Sequence, residues 1–364
     1  MSKLYIISDT HIGYRQYGLK DRNDDFENAF ENFYKAIPAD SEVLHGGDIL
    51  HQKCPYSSSI AFLKELNAIQ IRKNITTYII SGNHEKSKPS WIDIVEQTDS
   101  DYGFKCIDNQ TVELKNGMTV HGLPEMSKDQ YLDVFNTLDK NDILMLHTAV
   151  LEFIGYPSEK ALSIEAGDLP TAKFKYIVVG DTHVSSVEES EDGCKVISPG
   201  STEMNSESEP FTKYFYEILE DGKLEAHKLE TRKVFQFSID SDKSEQEAFD
   251  TIKGYEDKPC MVFLHISKEY AHVYKRMLSY LSEKAIIRKR TLPTEEERNM
   301  VSMITSSMLT TPVDVLPKIV KSDDPIYAPL EEILQLGVEA SSMDIKETLQ
   351  QFCDSRLEQL KQEV

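Results

Sequence analysis

The chain has 364 residues, a hydrophobic share of 40%, a single Trp and a formal net charge of −22. Such a length suits two or three units, one of them large enough for a substantial core. The negative balance argues against a protein that holds nucleic acid by its own bulk electrostatics, since a phosphate backbone rewards Lys and Arg; it leaves room for an anionic substrate if divalent cations or a partner supply the positive surface.

The opening run MSKLYIIS meets charge and turn residues within a few positions, so neither a secretory signal nor a membrane span is expected there. Its apolar part closes in Asp9 and His11. KDRNDDFENAFENFYKAI then places Phe26, Phe30, Phe33 and Ile37 at helical spacing, and SSSIAFLKELNAIQIRK does the same with Ile60, Leu63, Leu66 and Ile69. Between and after these helices, EVLHG ends at Asp48 and TTYIIS ends at Gly82-Asn83-His84-Glu85. VELKNGMTVHG, VEESEDGCKVIS and YEILEDGKLEAHKL each carry Asn-Gly or Asp-Gly between alternating runs, a hairpin signal. DILML ends at His147, and YIVV ends at Gly180-Asp181 with His183 beyond. A βα-alternating beginning thus passes into a more antiparallel second half, which predicts an α/β fold of two packed sheets flanked by helices.

From about residue 233 the pattern restarts as strand (KVFQFSID), helix (SEQEAFDTIKGY), strand (PCMVFLHIS), helix (EYAHVYKRMLSYLSE) and strand (AIIRKRTL), a small α/β unit with its own core. Beyond Pro293 the chain reads as polar helix, and Ile345, Leu349, Phe352 and Leu360 make an apolar stripe that a short terminal helix cannot bury alone. The expected division is 1–232, 233–293 and 294–364. The five cysteines, Cys54, Cys106, Cys194, Cys260 and Cys353, are scattered and form no C-x-x-C pair, which suits a reducing cytoplasm and no structural zinc.

A single Asp or His after a strand is ordinarily a cap or a satisfied polar group. Here five strand-like runs each deliver oxygen or imidazole donors at the same end, the edge where open α/β sheets build ligand sites. Asp9 and His11 are two apart, and in extended chain their side chains would leave on one side; Asp181 and His183 repeat the spacing. The inventory Asp9, His11, Asp48, Asn83, His147, Asp181 and His183 contains no cysteine and suits manganese, iron or magnesium. These are too many ligands for one open catalytic ion. Two ions sharing a bridging Asp48 would use them well, clamping a phosphoryl group from both sides.

The series D-x-H, G-D, G-N-H-E, a strand-end His and G-x-x-H resembles the calcineurin-like metallophosphoesterases. SDTHIGYRQY, GGDILHQKCP, SGNHEKS, ILMLHT, EAGDLP, YIVVGDTH and SPGSTE narrow that resemblance to the SbcD-type nucleases, which pair with an SMC-like ATPase in double-strand-break repair. The resemblance covers residues 1–235 well, the small α/β unit acceptably and the tail by position. It implies that Asp9, His11, Asp48 and His183 hold one Mn2+, and that Asp48, Asn83, His147 and Asp181 hold a second, Mg2+ being an alternative. It further implies His84 as transition-state stabiliser or general acid, Glu85 as the residue orienting it, and His51 as a seat for the phosphate. The family usually reads Gly-His-x-His where this chain has Gly180-Asp181-Thr182-His183, so an anion replaces a neutral ligand. His45, His121, His227, His265 and His272 fall outside the pattern and read as structural.

The function so implied is manganese-dependent hydrolysis of DNA phosphodiesters, as exonuclease at duplex ends and endonuclease on single strands or hairpins. The small unit would grip the DNA backbone, with Arg288, Lys289 and Arg290 as candidate phosphate contacts; a charged edge strand would look the same. The tail would dock on an SbcC-type SMC-like ATPase, which could also supply the basic surface this chain lacks. A homodimer through DDFENAFENFYKAI, no membrane association, and the cytoplasm of a bacterium or phage-infected cell complete the expectation. The rival is a metallophosphatase or cyclic-nucleotide phosphodiesterase on the same fold.

Overall fold

The computed structural model describes residues 2–85, 100–154 and 163–292, together with Trp91 and Val95. The expected C-terminal element, residues 294–364, lies outside the described residues.

The described residues divide into two compact units, the first running to residue 235 with 259–261 and the second made of 236–258 with those from 262 onward. In the first, strands β1 (Leu4–Ile7), β2 (Glu42–His45), β3 (Thr76–Ile79) and β4 (Gly103–Cys106) lie parallel in that order. The hairpin of β13 (Tyr214–Ile218) and β14 (Leu224–Lys228) adds antiparallel beside β1, completing a six-stranded sheet. A second six-stranded sheet runs β11-β12-β10-β7-β6-β5, built from β5 (Gln110–Glu113), β6 (Thr119–Leu123), β7 (Ile143–His147), β10 (Tyr176–Gly180), β11 (Ser186–Glu189) and β12 (Lys195–Ser198). Its inner strands β12, β10, β7 and β6 are parallel, and β5 and β11 turn antiparallel at its edges. The expected hairpins form, with Gly117, Gly193 and Gly222 at positive φ in their turns. The antiparallel pairing they bring nevertheless sits at sheet edges, so the second half is more parallel than its turn signals suggest.

Period-two alternation sorts side chains between two cores. On β1, Leu4 and Ile6 join Ile143, Met145 and Val178 in a layer shared by both sheets. Tyr5 and Ile7 point the other way, into a layer with Phe26, Phe30 and Phe33 of helix α1 (Lys20–Ala36) and Leu63 and Leu66 of helix α2 (Ser57–Arg72). On the second sheet Leu144, Leu146, Ile177 and Val179 pack with Tyr131 and Phe135 of helix α3 (Lys128–Thr137). Each central strand is buried on both faces, which is why it reads as a continuous apolar run. The two-stranded pair β8 (Ala149–Val150) and β9 (Ser163–Ile164) follows His147, with the single turn of α4 (Leu151–Ile154) between them.

The second unit is centred on a three-stranded sheet ordered β15 (Lys233–Ile239), β16 (Cys260–Ile266) and β17 (Ala285–Thr291), with helices α5 (Asp242–Ile252) and α6 (His272–Tyr280). The elements fall where the sequence pattern puts them. Ile239, Ala248, Ile252, Phe263, Val273 and Met277 are buried in it. No described helix is long and apolar enough to cross a membrane.

Candidate metal centre

Neighbouring parallel strands deliver their carboxyl ends together: β1, β2 and β3 in one sheet, β7 and β10 in the other. Past those ends stand Asp9 and His11, Asp48, Asn83 and His84, His147, and Asp181 and His183. His11, Asp48, His51, Asn83, His84, Asp181 and His183 all face one pocket.

How they converge differs from the sequence expectation. Strand β1 ends at Ile7, and Asp9 and His11 are not extended; their φ angles are 52° and 44°. Asp48 and Asp181 are left-handed too, at 52° and 65°. The left-handed backbone at each of these four residues costs about 1–3 kcal/mol, and it, rather than strand alternation, aims the side chain inward. Backbone bonds hold these turns: Asp9 N–H donates to Gly47 O at 3.1 Å and His11 N–H to Asp48 O at 3.0 Å. Glycine is needed between them, because a Cβ on Gly47 would collide with the His147 ring and one on Gly82 with the Asp48 carboxylate.

Asp48 sits at the middle. Its Oδ1 lies 3.4 Å from His147 Nε2, and its Oδ2 lies 3.9 Å from His11 Nε2 and 3.7 Å from His84 Nε2. Each carboxylate oxygen therefore faces a different set of imidazoles, as a bridging ligand requires. Ligand atoms of Asp9, His11 and His183 lie within 4.8 Å of one another, and so do those of Asp9, Asp48 and His147. His11 and His183 bring their Nε2 atoms to 3.1 Å, and His147 Nε2 is 3.9 Å from Asp181 Oδ1. His147 donates from Nδ1 to Gly46 O at 2.7 Å, which turns Nε2 inward toward Asp48.

The residues fit divalent cations on three counts. Asp9 Oδ2, Asn83 Oδ1 and His147 Nε2 are buried without a hydrogen-bond partner, a state that costs about 1–3 kcal/mol each unless something binds there. The donors are oxygen and imidazole nitrogen. The electrostatics ask for positive charge: burial pushes Asp9 up to about 7. Burial also opposes a charged His147, yet Asp48, with Asp9 and Asp181 behind it, raises that imidazole well above its ordinary value. Burial opposes an ionised Asp48 as well, and the neighbouring His147 and His11 hold it far below the carboxylate range. In the metal-free protein Asp9 and His147 thus retain protons that a cation would displace, while Asp48 is already ionised.

The other expected site residues divide. His84 Nδ1 is held by the His51 carbonyl, fixing its ring with Nε2 toward Asp48. His51 is stacked between His84 and Tyr14, with ring centroids 5.2 and 3.8 Å away, and burial lowers it to about 4. Glu85 does not touch the His84 ring through any of its hydrogen bonds. Its buried carboxylate accepts from the N–H groups of Leu50 (2.8 Å), Gly82 (2.9 Å) and Asp48 (3.1 Å), tying the β2 end to the β3 end. Among the described residues these bonds reach Asp48, Leu50 and Gly82 and not the His84 ring that the resemblance assigns to it. Arg288, Lys289 and Arg290 are exposed on β17 in the second unit, with Lys289 Nζ 5.7 Å from the Tyr274 ring centre. His45 is structural, as expected: it takes the Gly47 N–H on Nδ1 and meets Thr10 through Nε2 at 3.2 Å, and burial lowers it to about 3.

Three participants escaped the sequence reading. Glu209 accepts from His183 Nδ1 at 3.1 Å and from Lys213 Nζ at 2.7 Å. Tyr14 stacks on His51, and Asn205 lines the pocket. Glu209 and Asn205 come from the loop between β12 and β13, where no apolar run marks a strand end.

Residues 2–221 match the calcineurin-like phosphoesterase superfamily domain. The chain belongs to that superfamily. It is 29% identical over 314 residues to the DNA double-strand break repair protein Mre11 of Methanocaldococcus jannaschii, covering 80% of this chain and 82% of that one. The protein of the same name from Archaeoglobus fulgidus is 25% identical over 319 residues, 77% of this chain and 71% of that one. For Methanococcus maripaludis the figures are 29% over 221 residues, 56% of this chain and 58% of the relative. Membership makes this chain a metal-dependent phosphoester hydrolase with a dinuclear divalent-cation site, and the residues gathered around Asp48 are its candidates for that site.

Proposed function

We propose that the chain is a manganese-dependent DNA nuclease, an exonuclease at duplex ends and an endonuclease on single strands or hairpins, working in DNA repair beside an SMC-like ATPase of SbcC type. The observation that carries this reading is the two-sided Asp48 carboxylate amid orphaned buried donors at a pocket mouth. The relatives named as double-strand break repair proteins support DNA as the substrate.

Asp9, His11, Asp48 and His183 would hold one cation, and Asp48, Asn83, His147 and Asp181 the other. When bound, the pair neutralises phosphate charge and supplies a nucleophile near neutral pH. The protein's own groups do the rest. His51, fixed in its aromatic stack, orients the phosphate. His84, its Nδ1 anchored on a carbonyl, keeps Nε2 free to hand a proton to the leaving oxygen. Glu209 holds His183 in the tautomer that offers Nε2, and Glu85 holds Asp48. The exposed Arg288–Arg290 strand contacts the DNA backbone, residues 294–364 bind the ATPase, and α1 supplies a homodimer contact.

The test is degradation of an end-labelled duplex with manganese, wild type beside His84→Ser, with and without the cognate ATPase and ATP. Activity that vanishes in the variant and rises with the ATPase supports the reading. A protein that binds manganese but turns over only phosphomonoesters overturns it.

A further inference from the structure

The wall of the pocket is chemically unusual for a site that takes an anionic substrate. Among its described lining residues are histidines, Asn83, Asn205, Ser206 and Ser208, and no lysine or arginine. Asp48, Asp181 and Glu209 line it as well, so among the described residues a phosphate oxygen that does not meet a cation has imidazoles and neutral amide or hydroxyl donors to meet.

Asn205 is built for that task. Its side-chain Nδ2 is buried and has no hydrogen-bond partner, although the residue lines the pocket. Its backbone is clamped on both sides: the N–H donates to Glu209 Oε2 at 3.1 Å, and the carbonyl accepts from Gln16 Nε2 at 2.7 Å. Gln16 is itself fixed by Arg22, whose Nε donates to Gln16 Oε1 at 2.8 Å. The fully buried Arg22 guanidinium also donates to the carbonyl of Met204, next to Asn205, at 2.9 Å. Glu209, the acceptor for the Asn205 N–H, is the same carboxylate that receives the His183 Nδ1 proton. Asn205 is thus in fixed register with a metal-ligand candidate, held by a rigid frame, with an unspent donor. A folded protein that leaves such a donor unpaired loses stability unless a ligand completes it.

We infer that Asn205 is a substrate-positioning residue whose Nδ2 donates to a non-bridging oxygen of the phosphoester seated in the metal pocket. The inference rests on the reading of the pocket as a phosphodiesterase site. It adds to that reading a neutral, preorganised donor on the wall formed by the β12–β13 loop, which discriminates in favour of a tetrahedral oxyanion without adding charge.

The experiment compares wild type, Asn205→Ala and Asn205→Asp as full-length, manganese-loaded proteins, titrated calorimetrically with inorganic phosphate and, separately in the metal-free form, with manganese. Removing the donor is expected to weaken phosphate binding about tenfold, the worth of one hydrogen bond to a charged acceptor, and the aspartate variant is expected to bind more weakly still through repulsion. Manganese affinity of Asn205→Ala stays at the wild-type value, and its melting temperature is unchanged or higher, because an unpaired buried donor has been removed. A purely structural residue would show the opposite, with melting temperature, manganese affinity and phosphate affinity falling together, and that pattern overturns the inference. Phosphate affinity equal in wild type and Asn205→Ala overturns it as well, as does a wild type that does not bind phosphate. DNA cleavage by the same wild-type preparation scores the nuclease reading separately: DNA left intact with Asn205-dependent phosphate binding removes that reading alone, and cleaved DNA with Asn205-independent binding removes this inference alone.

Discussion

His183 donates from Nδ1 to Oε1 of Glu209 at 3.1 Å, across 26 residues of chain. That carboxylate fixes the imidazole so that Nε2 faces the pocket, and Lys213 steadies the carboxylate from its other oxygen at 2.7 Å. Glu209→Gln keeps the shape but presents an amide to the Lys213 ammonium. Manganese affinity is expected to fall about 10- to 100-fold, the usual effect of losing a partner behind a metal-binding histidine. Calorimetric titration reads it directly, and an unaltered affinity would falsify the assignment.

The same pair makes an acid-stability prediction. Burial opposes an ionised Glu209, but His183 and Lys213 hold it down at about 2, against an ordinary 4.5. A depressed carboxylate stabilises the fold fully above its unfolded pKa and loses that contribution as pH falls toward the folded one. Between about pH 4.5 and about pH 2, urea stability of the wild type should therefore drop more steeply than that of Glu209→Gln. Parallel curves would remove Glu209 from the account.

Asp9 carries the opposite sign. Burial raises it to about 7, so the metal-free fold keeps a proton that the unfolded chain has released, and stability declines as pH rises from about 4 to about 7. A bound divalent cation displaces that proton. The rise in melting temperature on adding manganese, relative to chelator, should accordingly be larger at about pH 7.5 than at about pH 5.5. Equal increments at both values would contradict the buried carboxylate as a ligand.

Asp181 replaces the histidine usual in the superfamily motif. With Asp9, Asp48 and Asp181 as the proposed ligands, three of the four positive charges of two divalent ions would be returned, leaving a centre about one unit positive instead of about two. A harder, less electrophilic second site tolerates magnesium better. Asp181→His should narrow the metal profile toward manganese, measured as the ratio of initial rates in the two metals; identical profiles would sink the idea.

Glu85 clamps two strand ends through three N–H groups. In Glu85→Gln one oxygen becomes an NH2 facing those donors in a buried site. The expected cost is about 2 kcal/mol of unfolding free energy, together with weakened manganese binding because Asp48 loses its anchor. A variant as stable as wild type by urea titration would show that the clamp is dispensable.

Much of this protein is legible along the chain. The strands announce themselves because each central one is buried on both faces and must be apolar throughout, and a polar residue at the end of such a run has only the sheet edge to occupy. That is why Asp9, Asp48, Asn83, His147 and Asp181 could be placed at that edge from the sequence, and why the helix with Phe26, Phe30 and Phe33 could be placed. What the chain alone could not show depends on long-range geometry. The left-handed turns at Asp9, His11, Asp48 and Asp181 are imposed by bonds between strand ends. The two faces of Asp48 exist only once β3 and β7 bring His84 and His147 to it. Glu85, Glu209 and Asn205 acquire their parts from partners distant in sequence, in loops where no periodicity speaks. Periodicity records which residues must leave water, and so determines elements and their ends; the direction of a hydrogen bond across 37 or 26 residues is decided only when tertiary packing has brought both groups to the same place.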